Sequence, residues 1–232
     1  MLFRSSPSAW QTYYGGIHAG SWTYGLADVP QFAAHVVGAT RVANPGCYAT
    51  ALALSMAPAV GTRLVDSTGI VAVAASGTSG AGRKADIDLS ATEVMGSMRA
   101  YKAGGAHQHI PEVEQSLTAL GGVDVRLSFT PVLAPMPRGI HATVTAPLRG
   151  SADAVRAAYA EAFAGSPFVT VLASGSEGRT ADVVGTNDAL LSVHIDDHCD
   201  RLVVTCVIDN LGKGAAGQAV QNANLIDRKS VV

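Results

Sequence analysis

The sequence has 232 residues, of which 48% are hydrophobic and 15% are charged, and its formal net charge at pH 7 is −2. This length suits one large domain or two small ones with a buried core, and the weak charge argues against nucleic acid as a partner. No apolar run reaches the roughly 18 to 20 residues of a membrane span, so we predict a cytoplasmic protein without a membrane partner.

The chain contains three cysteines, Cys47, Cys199 and Cys206. An odd number in a chain without a secretory signal argues against a disulfide scaffold and favours reduced thiols. Cys199 and Cys206 lie in or beside strand-like runs, so we predict that both are packing residues.

The first elements are short. Residues 10–24 are rich in glycine and aromatic side chains and are typical of a connection rather than a repeat. A short helix near residues 30–35 and a brief strand at 41–43 follow.

Cys47 comes directly after the turn signal Asn44-Pro45-Gly46 and opens an apolar run that predicts a helix over 48–57, ending at Pro58. The first turn of a helix has unpaired N–H groups that favour a negative charge. A thiol there is expected to titrate below the free value of about 8.5, which predicts a nucleophile. The alternative is a buried cysteine that only fills space.

Residues 69–75, GIVAVAA, predict a strand that is buried on both faces. The loop that follows, SGTSGAGR at 76–83, lets a backbone approach a phosphate or a flat ring closely. It lacks the lysine of a P-loop and the spacing of a dinucleotide fingerprint, so a flexible glycine loop is the alternative.

His107 and His109 precede a helix that is predicted to begin near Pro111 and to run to Leu120. No third ligand has a recognisable spacing, so we predict no metal site. Imidazole titrates near neutrality and can act as a general acid or base. A helix-capping or surface histidine pair is the alternative.

The rest of the chain is rich in predicted strands, with one amphipathic helix at 152–164 and a helix of small residues after residue 209, in which Gly214 and Gly217 permit close packing. The strands are at 123–130, 139–145, 168–172, 190–195 and 202–208. This pattern predicts an α+β fold with a mixed, largely antiparallel sheet covered by helices.

Five motifs in order resemble the N-acetyl-γ-glutamyl-phosphate reductase family, which is related to aspartate-semialdehyde dehydrogenase. They are ANPGCY at 43–48, SGTSGAGR at 76–83, HQHIPE at 107–112, FTPVLAPMPRGI at 129–140 and IDNLGKGAAGQAVQNAN at 208–224. The resemblance runs from about residue 10 to 224 and implies a fold like the C-terminal domain of semialdehyde dehydrogenases.

In that family a cysteine attacks the acyl phosphate of N-acetyl-L-glutamyl 5-phosphate, and NADPH reduces the resulting thioester to the semialdehyde, in arginine biosynthesis. The resemblance implies that Cys47 is the nucleophile and His109 the acid/base, with His107 as the alternative. It implies NADP contacts at Ser79, Gly80 and Asn210, and substrate contacts at Tyr101, Glu112 and Arg138. It also implies a homo-oligomer, either a dimer or a tetramer.

The chain departs from the family at three positions, with Ala49, Gln108 and Val132 where proline, arginine and histidine are usual. Most of the family's N-terminal Rossmann domain has no counterpart, and we predict that the fragment is inactive by itself. We predict non-native ends at 1–5 and 227–232, a nucleotide-domain remnant at 6–42 and a catalytic, substrate-binding and oligomerisation domain at 43–208. The helix at 209–226 is predicted to pack on the missing NADP domain.

Three other functions are compatible with parts of the pattern. A reductase of acetyl-aminoadipyl phosphate in lysine biosynthesis uses the same chemistry on a longer substrate. A non-catalytic dimerisation or binding module needs only the sheet domain. A papain-like cysteine hydrolase needs Cys47 and a histidine, but it leaves the hydride-transfer motifs unexplained.

Overall fold

The structure is a computed structural model that describes residues 6–18, 20–81 and 87–227. The predicted non-native segments 1–5 and 227–232 lie outside these residues, except for Asp227, and so do Gly82 and Arg83 of the glycine loop. In the described part of the chain, none of the helices is long and apolar enough to cross a membrane.

Helices and strands alternate along the described residues. The α-helices are α1 Pro7–Tyr13, α2 Pro30–Val36, α3 Cys47–Gly61, α4 Ala91–Val94, α5 Ile110–Gly121, α6 Ala152–Phe163, α7 Thr180–Val183 and α8 Gly217–Ile226. The strands are β1 Thr23–Tyr24, β2 Val42–Ala43, β3 Ile70–Ser76, β4 Arg99–Ala100, β5 Leu127–Leu133, β6 Ile140–Pro147, β7 Val169–Val171, β8 Ala189–Asp196 and β9 Arg201–Ile208. Two 3₁₀ turns, Thr78–Ala81 and Ile87–Leu89, and a π-helical turn, Gly212–Ala216, complete them.

Seven strands form one mixed sheet in the order β4-β5-β3-β6-β9-β8-β7. Strand β3 is parallel to β5, and β7 is parallel to β8, whereas the other neighbours are antiparallel. The predicted α+β fold with a largely antiparallel sheet is therefore confirmed. Strands β1 and β2 form a separate parallel pair.

The helices cover one face of this sheet. Along β3, Ile70, Ala72 and Ala74 point into the core, whereas Val71 and Val73 are 42% and 47% exposed. The prediction that this strand is buried on both faces was wrong, because residues of only one face lie under the helices. Its alanines and valines alternate between the two faces with the period of two that a strand imposes.

Helix α3 is the centre of the core. Every residue from Tyr48 to Val60 is buried, and the helix contacts α5, α6, β6 and β9. The prediction that it ends at Pro58 was wrong: Pro58 lies inside it, and the helix continues to Gly61. A proline removes one backbone donor, but burial of the whole helix outweighs that loss here.

Cys206 and Cys199 differ in their burial. Cys206 is fully buried in β9, as predicted, and burial raises the pKa of its thiol to about 12. Cys199 is exposed in the turn between β8 and β9. The prediction that Cys199 packs in the core was wrong, because it lies in the turn rather than in a strand.

Residues 6–42 form a small unit beside the main sheet. It consists of α1, β1 and α2 and leads into β2, and α2 contacts α8 near the C-terminus. The side chain of Asn222 in α8 donates to the carbonyl of Gly25 over 2.8 Å. Helix α8 therefore contacts the 6–42 unit, and Asn222 also donates to the Oδ1 of Asn44 in the turn that precedes α3, over 2.9 Å.

Candidate active site

Cys47 is the first residue of α3 and is half-buried. The N–H of Thr50 and its hydroxyl both donate to the carbonyl of Gly46, over 2.8 Å and 3.0 Å, which closes the first helical turn. The sulfur therefore lies at a helix N-terminus, where backbone N–H groups favour a negative charge.

The turn before Cys47 is held by a buried carboxylate. Glu112, which is only 1% exposed, accepts hydrogen bonds from the N–H of Gly46 over 2.9 Å and from the hydroxyl of Tyr24 over 3.1 Å. The N–H of Gly46 is thus engaged by Glu112. The structure places this predicted substrate residue against the turn that precedes Cys47.

Tyr48, which follows the cysteine, is the centre of an aromatic cluster. Its hydroxyl lies 2.9 Å from the hydroxyl of Tyr101, and its ring meets His107, His109 and Phe129 edge to face. Burial raises the pKa of Tyr48 and of Tyr101, and electrostatic interaction with Cys47 adds to both shifts. Both phenols therefore remain protonated at neutral pH and lie within electrostatic reach of the sulfur.

The two histidines lie together, with ring centroids 4.8 Å apart. His107 is 3% exposed, and its Nδ1 accepts from the backbone N–H of His109 over 3.2 Å. Burial lowers the pKa of His107 to about 3, with His109 and Lys102 adding to the shift. His107 is therefore neutral at pH 7 and carries its proton on Nε2. His109 is the residue that precedes the first turn of α5.

The three predicted cofactor residues lie side by side. The amide of Asn210 donates to the hydroxyl of Ser79 over 3.0 Å, and its oxygen accepts from the N–H of Gly139 over 2.7 Å. A Cβ on Gly80 would stand 3.1 Å from the hydroxyl of Ser76, which is tighter than ordinary contact. Asn210 thus links the turn that carries Ser79 and Gly80 to the backbone of Gly139.

Arg138 forms an ion pair with Asp209, with Nη2 2.7 Å from Oδ2. Burial acts to raise the pKa of Asp209, but the N–H groups of Gly185, Leu211 and Gly212 and the Arg138 guanidinium outweigh it and lower that pKa. The arginine side chain remains 37% exposed. Arg138 therefore offers a charged group at the surface while the buried carboxylate fixes its orientation.

A second cation lies on the histidine side of the site. The exposed ammonium of Lys102 donates to the Oε1 of the half-buried Gln108 over 2.8 Å. Gln108 is one of the positions where the sequence departs from the family that it resembles. The positive charge that an arginine would supply at 108 has a neighbouring source in Lys102.

Sequence reasoning missed the residues on the other side of Cys47. A Cβ on Gly214 would stand only 2.7 Å from the Cβ of Cys47, and the amide of Asn44 donates to the carbonyl of Ala215 over 3.1 Å. The glycines of the 208–224 motif were predicted to permit close packing, and within this chain the close partners include Cys47 itself. The one sequence feature that could have indicated these contacts was Lys213, a single lysine in a run of small residues.

The chain is similar to curated reductases over nearly its whole length. The chain is 52% identical to an N-acetyl-gamma-glutamyl-phosphate reductase of Acidothermus cellulolyticus and 53% identical to one of Salinispora arenicola. These matches cover 94% and 96% of the chain but 64% and 65% of the relatives. The chain therefore spans slightly less than two-thirds of the length of these curated relatives.

Solved structures show the same fold. Aspartate semialdehyde dehydrogenase II from Vibrio cholerae matches with a TM-score of 0.67 at 18% identity, over 88% of this chain and 67% of that one. The enzyme from Francisella tularensis matches with a TM-score of 0.64 at 14% identity, over 88% and 71%. Residues 47–210 match the family model described as "Semialdehyde dehydrogenase, dimerisation domain". The chain thus belongs to the semialdehyde dehydrogenase family and carries its dimerisation domain.

Proposed function

We propose that this chain is the catalytic and dimerisation part of an NADPH-dependent reductase of N-acetyl-L-glutamyl 5-phosphate, in arginine biosynthesis. The observation that carries the proposal is the half-buried Cys47 at the first turn of α3, beside a cluster of two histidines and two tyrosines. The names of the relatives supply the substrate class.

The first step requires a thiolate. The sulfur of Cys47 attacks the carbonyl carbon of the acyl phosphate, the C–S bond forms, and the C–O bond to phosphate breaks as phosphate leaves with its electron pair. The product is a thioester on Cys47, which is a better hydride acceptor than a carboxylate. The N-terminus of α3 supports this step because it favours the anionic sulfur.

The residues around Asn210 fit a nicotinamide cofactor. Gly80 is exposed, has no side chain and lies on the turn that the Asn210 amide holds against Ser79, so a flat ring could approach the backbone there. Ser79, Gly80 and Asn210 are therefore the proposed contacts. NADPH, when bound, supplies the hydride that reduces the thioester.

His109 is the better of the two histidines for the acid/base role. The low pKa of His107 keeps it neutral, and its Nδ1 is occupied by the backbone of His109. We assign to His109 the proton at the substrate oxygen that develops negative charge. His107 then serves to hold the backbone of His109.

The anionic substrate requires cationic and hydroxyl groups at the site. Arg138 and Tyr101 are the proposed contacts, because one has a partly exposed guanidinium and the other has a hydroxyl near the sulfur. Glu112 is the third proposed substrate contact, and its Oε1 fixes it beside the turn before Cys47 by accepting from Gly46 and Tyr24.

The open face of the sheet supports a homo-oligomer. Val71 and Val73 present apolar side chains on the face that the helices leave uncovered, and the matching family model is described as a dimerisation domain. We propose that a second copy of the chain covers this face, because paired copies would remove these apolar side chains from water.

The test is the pH dependence of Cys47 alkylation by iodoacetamide. A Cys199→Ser parent removes the exposed thiol, and Cys206 is buried, so the modified site is unambiguous. We expect the rate to reach half its maximum below the free-thiol value of about 8.5. His109→Ala is expected to raise this midpoint, whereas His35→Ala, at an exposed position on α2, should not. An ordinary midpoint in the parent would contradict the proposal.

A further inference from the structure

Lys213 is a completely buried lysine in the turn that packs on Cys47. Its ammonium forms an ion pair with Asp28, donates to the Oε1 of Gln221 over 2.6 Å, and lies 5.3 Å from the centroid of the Phe168 ring. Burial lowers the pKa of Lys213, and the Asp28 carboxylate opposes that shift. Both side chains of the ion pair are completely buried, so the pair lies in the interior of the protein.

Asp28 has a full set of partners. Its Oδ1 accepts from the amide of Gln221 over 3.1 Å and from the hydroxyl of Ser166 over 3.0 Å, while Oδ2 faces Lys213. Gln221 also accepts from the amide of Asn187 over 3.0 Å. The network joins the 6–42 unit to the C-terminal segment and to the loop before β7.

The turn that carries Lys213 is a π-helical turn, Gly212–Ala216, and it meets the nucleophile directly. Gly214 lies against the Cβ and Cα of Cys47, where an added Cβ would stand 2.7 Å and 3.1 Å away. At the start of the turn, Asp209 accepts from the N–H groups of Leu211 and Gly212. Isolated π-turns are rare and are frequent at functional sites.

A buried ion pair gains little stability over a well-packed apolar pair, because both charges must leave water. It does restrict geometry, since the ammonium must meet the carboxylate and the amide at fixed distances. Here the restricted element is the turn whose glycine touches Cys47. A shift of the turn would change the position of the sulfur relative to the first turn of α3.

We propose that Lys213 and Asp28 are positioning residues for Cys47, acting through the π-helical turn, and that they couple the 6–42 unit to the nucleophile. This inference rests on the proposed function, because it assumes that the position of the sulfur matters for its chemistry. It assigns the pair a role beyond holding the fold together.

The test compares Lys213→Met, Asp28→Asn and Val155→Ala in the Cys199→Ser parent, with the pH midpoint of Cys47 alkylation as the readout. Val155 is a fully buried residue of α6, and its truncation provides a control for general destabilisation. Positioning predicts that both charge variants raise the midpoint by about half a pH unit or more, as the sulfur loses its place at the helix N-terminus. Val155→Ala should leave it unchanged.

The direction of the shift separates positioning from simple electrostatics. Loss of a positive charge at 213 would raise the midpoint, whereas loss of a negative charge at 28 would lower it, if each acted only through space. Shifts in opposite directions, or shifts no larger than that of Val155→Ala, would overturn the proposal.

A glycine pair keeps the test informative if Lys213→Met does not fold. Gly214→Ala places a methyl group against Cys47, and Gly165→Ala places one where no atom lies within 4 Å. We expect the first to change the alkylation rate several-fold and the second to leave it unchanged. Equal rates in the two variants would contradict the role of the turn.

The parent protein separates the two proposals. An ordinary Cys47 thiol in the parent defeats the proposed function, whatever the variants do. An activated thiol in the parent that ignores Lys213, Asp28 and Gly214 leaves the proposed function standing and defeats only the positioning role.

Discussion

Two buried polar clusters flank the start of α3, and they are built from different chemistry. The aromatic cluster consists of Tyr48, Tyr101, His107, His109 and Phe129, and burial favours the neutral forms of Tyr48, Tyr101 and His107 by shifting the pKa of each. The ionic cluster consists of Asp28, Lys213 and Gln221, and it places a buried ammonium against a carboxylate.

The difference shows how one cysteine can have groups that hold protons on one side and groups that fix its position on the other. Phenols and a neutral imidazole near the sulfur can hold protons without adding fixed charge. A buried ion pair cannot exchange protons readily, but it sets the distance between the segments that carry it. The aromatic cluster is therefore suited to the reaction, and the ionic cluster to the placement of the nucleophile.

The largest effect is expected when one of the two charges of the ionic cluster is removed. Lys213→Met leaves the Asp28 carboxylate buried without its cation, and we expect a loss of about 3 to 5 kcal/mol in the free energy of unfolding. Adding Asp28→Leu should recover at least half of that loss, because the uncompensated charge is then removed. Urea unfolding at pH 7 measures both, and a double variant less stable than Lys213→Met would contradict this interpretation.

The aromatic cluster predicts a dependence on pH. Above about pH 6.5, His107 is neutral in both the folded and the unfolded chain, but between 6.5 and about 3 only the unfolded chain takes up the proton. The free energy of unfolding therefore falls as the pH falls, by about 2 kcal/mol from pH 6.5 to 4.5. Urea unfolding of a His107→Gln variant should lack this part of the decrease, and a loss equal to that of the parent would show that His107 titrates normally.

Glu112 holds the turn before Cys47 and is a member of neither cluster, so its replacement tests whether that turn also affects Cys47. Glu112→Gln keeps an oxygen for Gly46 and Tyr24 but removes the charge, so we expect a loss of about 1 kcal/mol in stability. Because the turn before Cys47 is held less firmly, alkylation of Cys47 should also change. Glu114→Gln, in the same helix and bonded to Leu127, is the matched control, and it should leave the alkylation rate unchanged.

The smallest effect is expected outside both clusters. Ser151 caps α6 by accepting from the N–H of Ala154 over 3.2 Å. Ser151→Ala should lower the free energy of unfolding by about 1 kcal/mol, as measured by thermal unfolding, and should leave the rate of Cys47 alkylation unchanged. A change in alkylation here would mean that Cys47 responds to stability in general rather than to the two clusters.

Local signals predicted much of the fold. The alternation of β-branched residues predicted β6, β8 and β9 to within two residues of their ends, and Pro111 marked the start of α5. The turn before Cys47 and the helix after it were also visible, because proline, glycine and an apolar run act over a few residues. The motifs around Ser79 and Asn210 were recognised separately, although their contact across 131 residues was not.

What the sequence determined by itself was most of the local elements and the family, and it singled out Cys47 as the candidate nucleophile, since turn residues and periodicity depend on near neighbours. Only the tertiary structure decided that α3 continues through Pro58, that β3 has one open face, and that Lys213 meets Asp28 across 185 residues. The physical reason is that burial and ion pairing depend on which distant segments meet, and no local pattern encodes that partner.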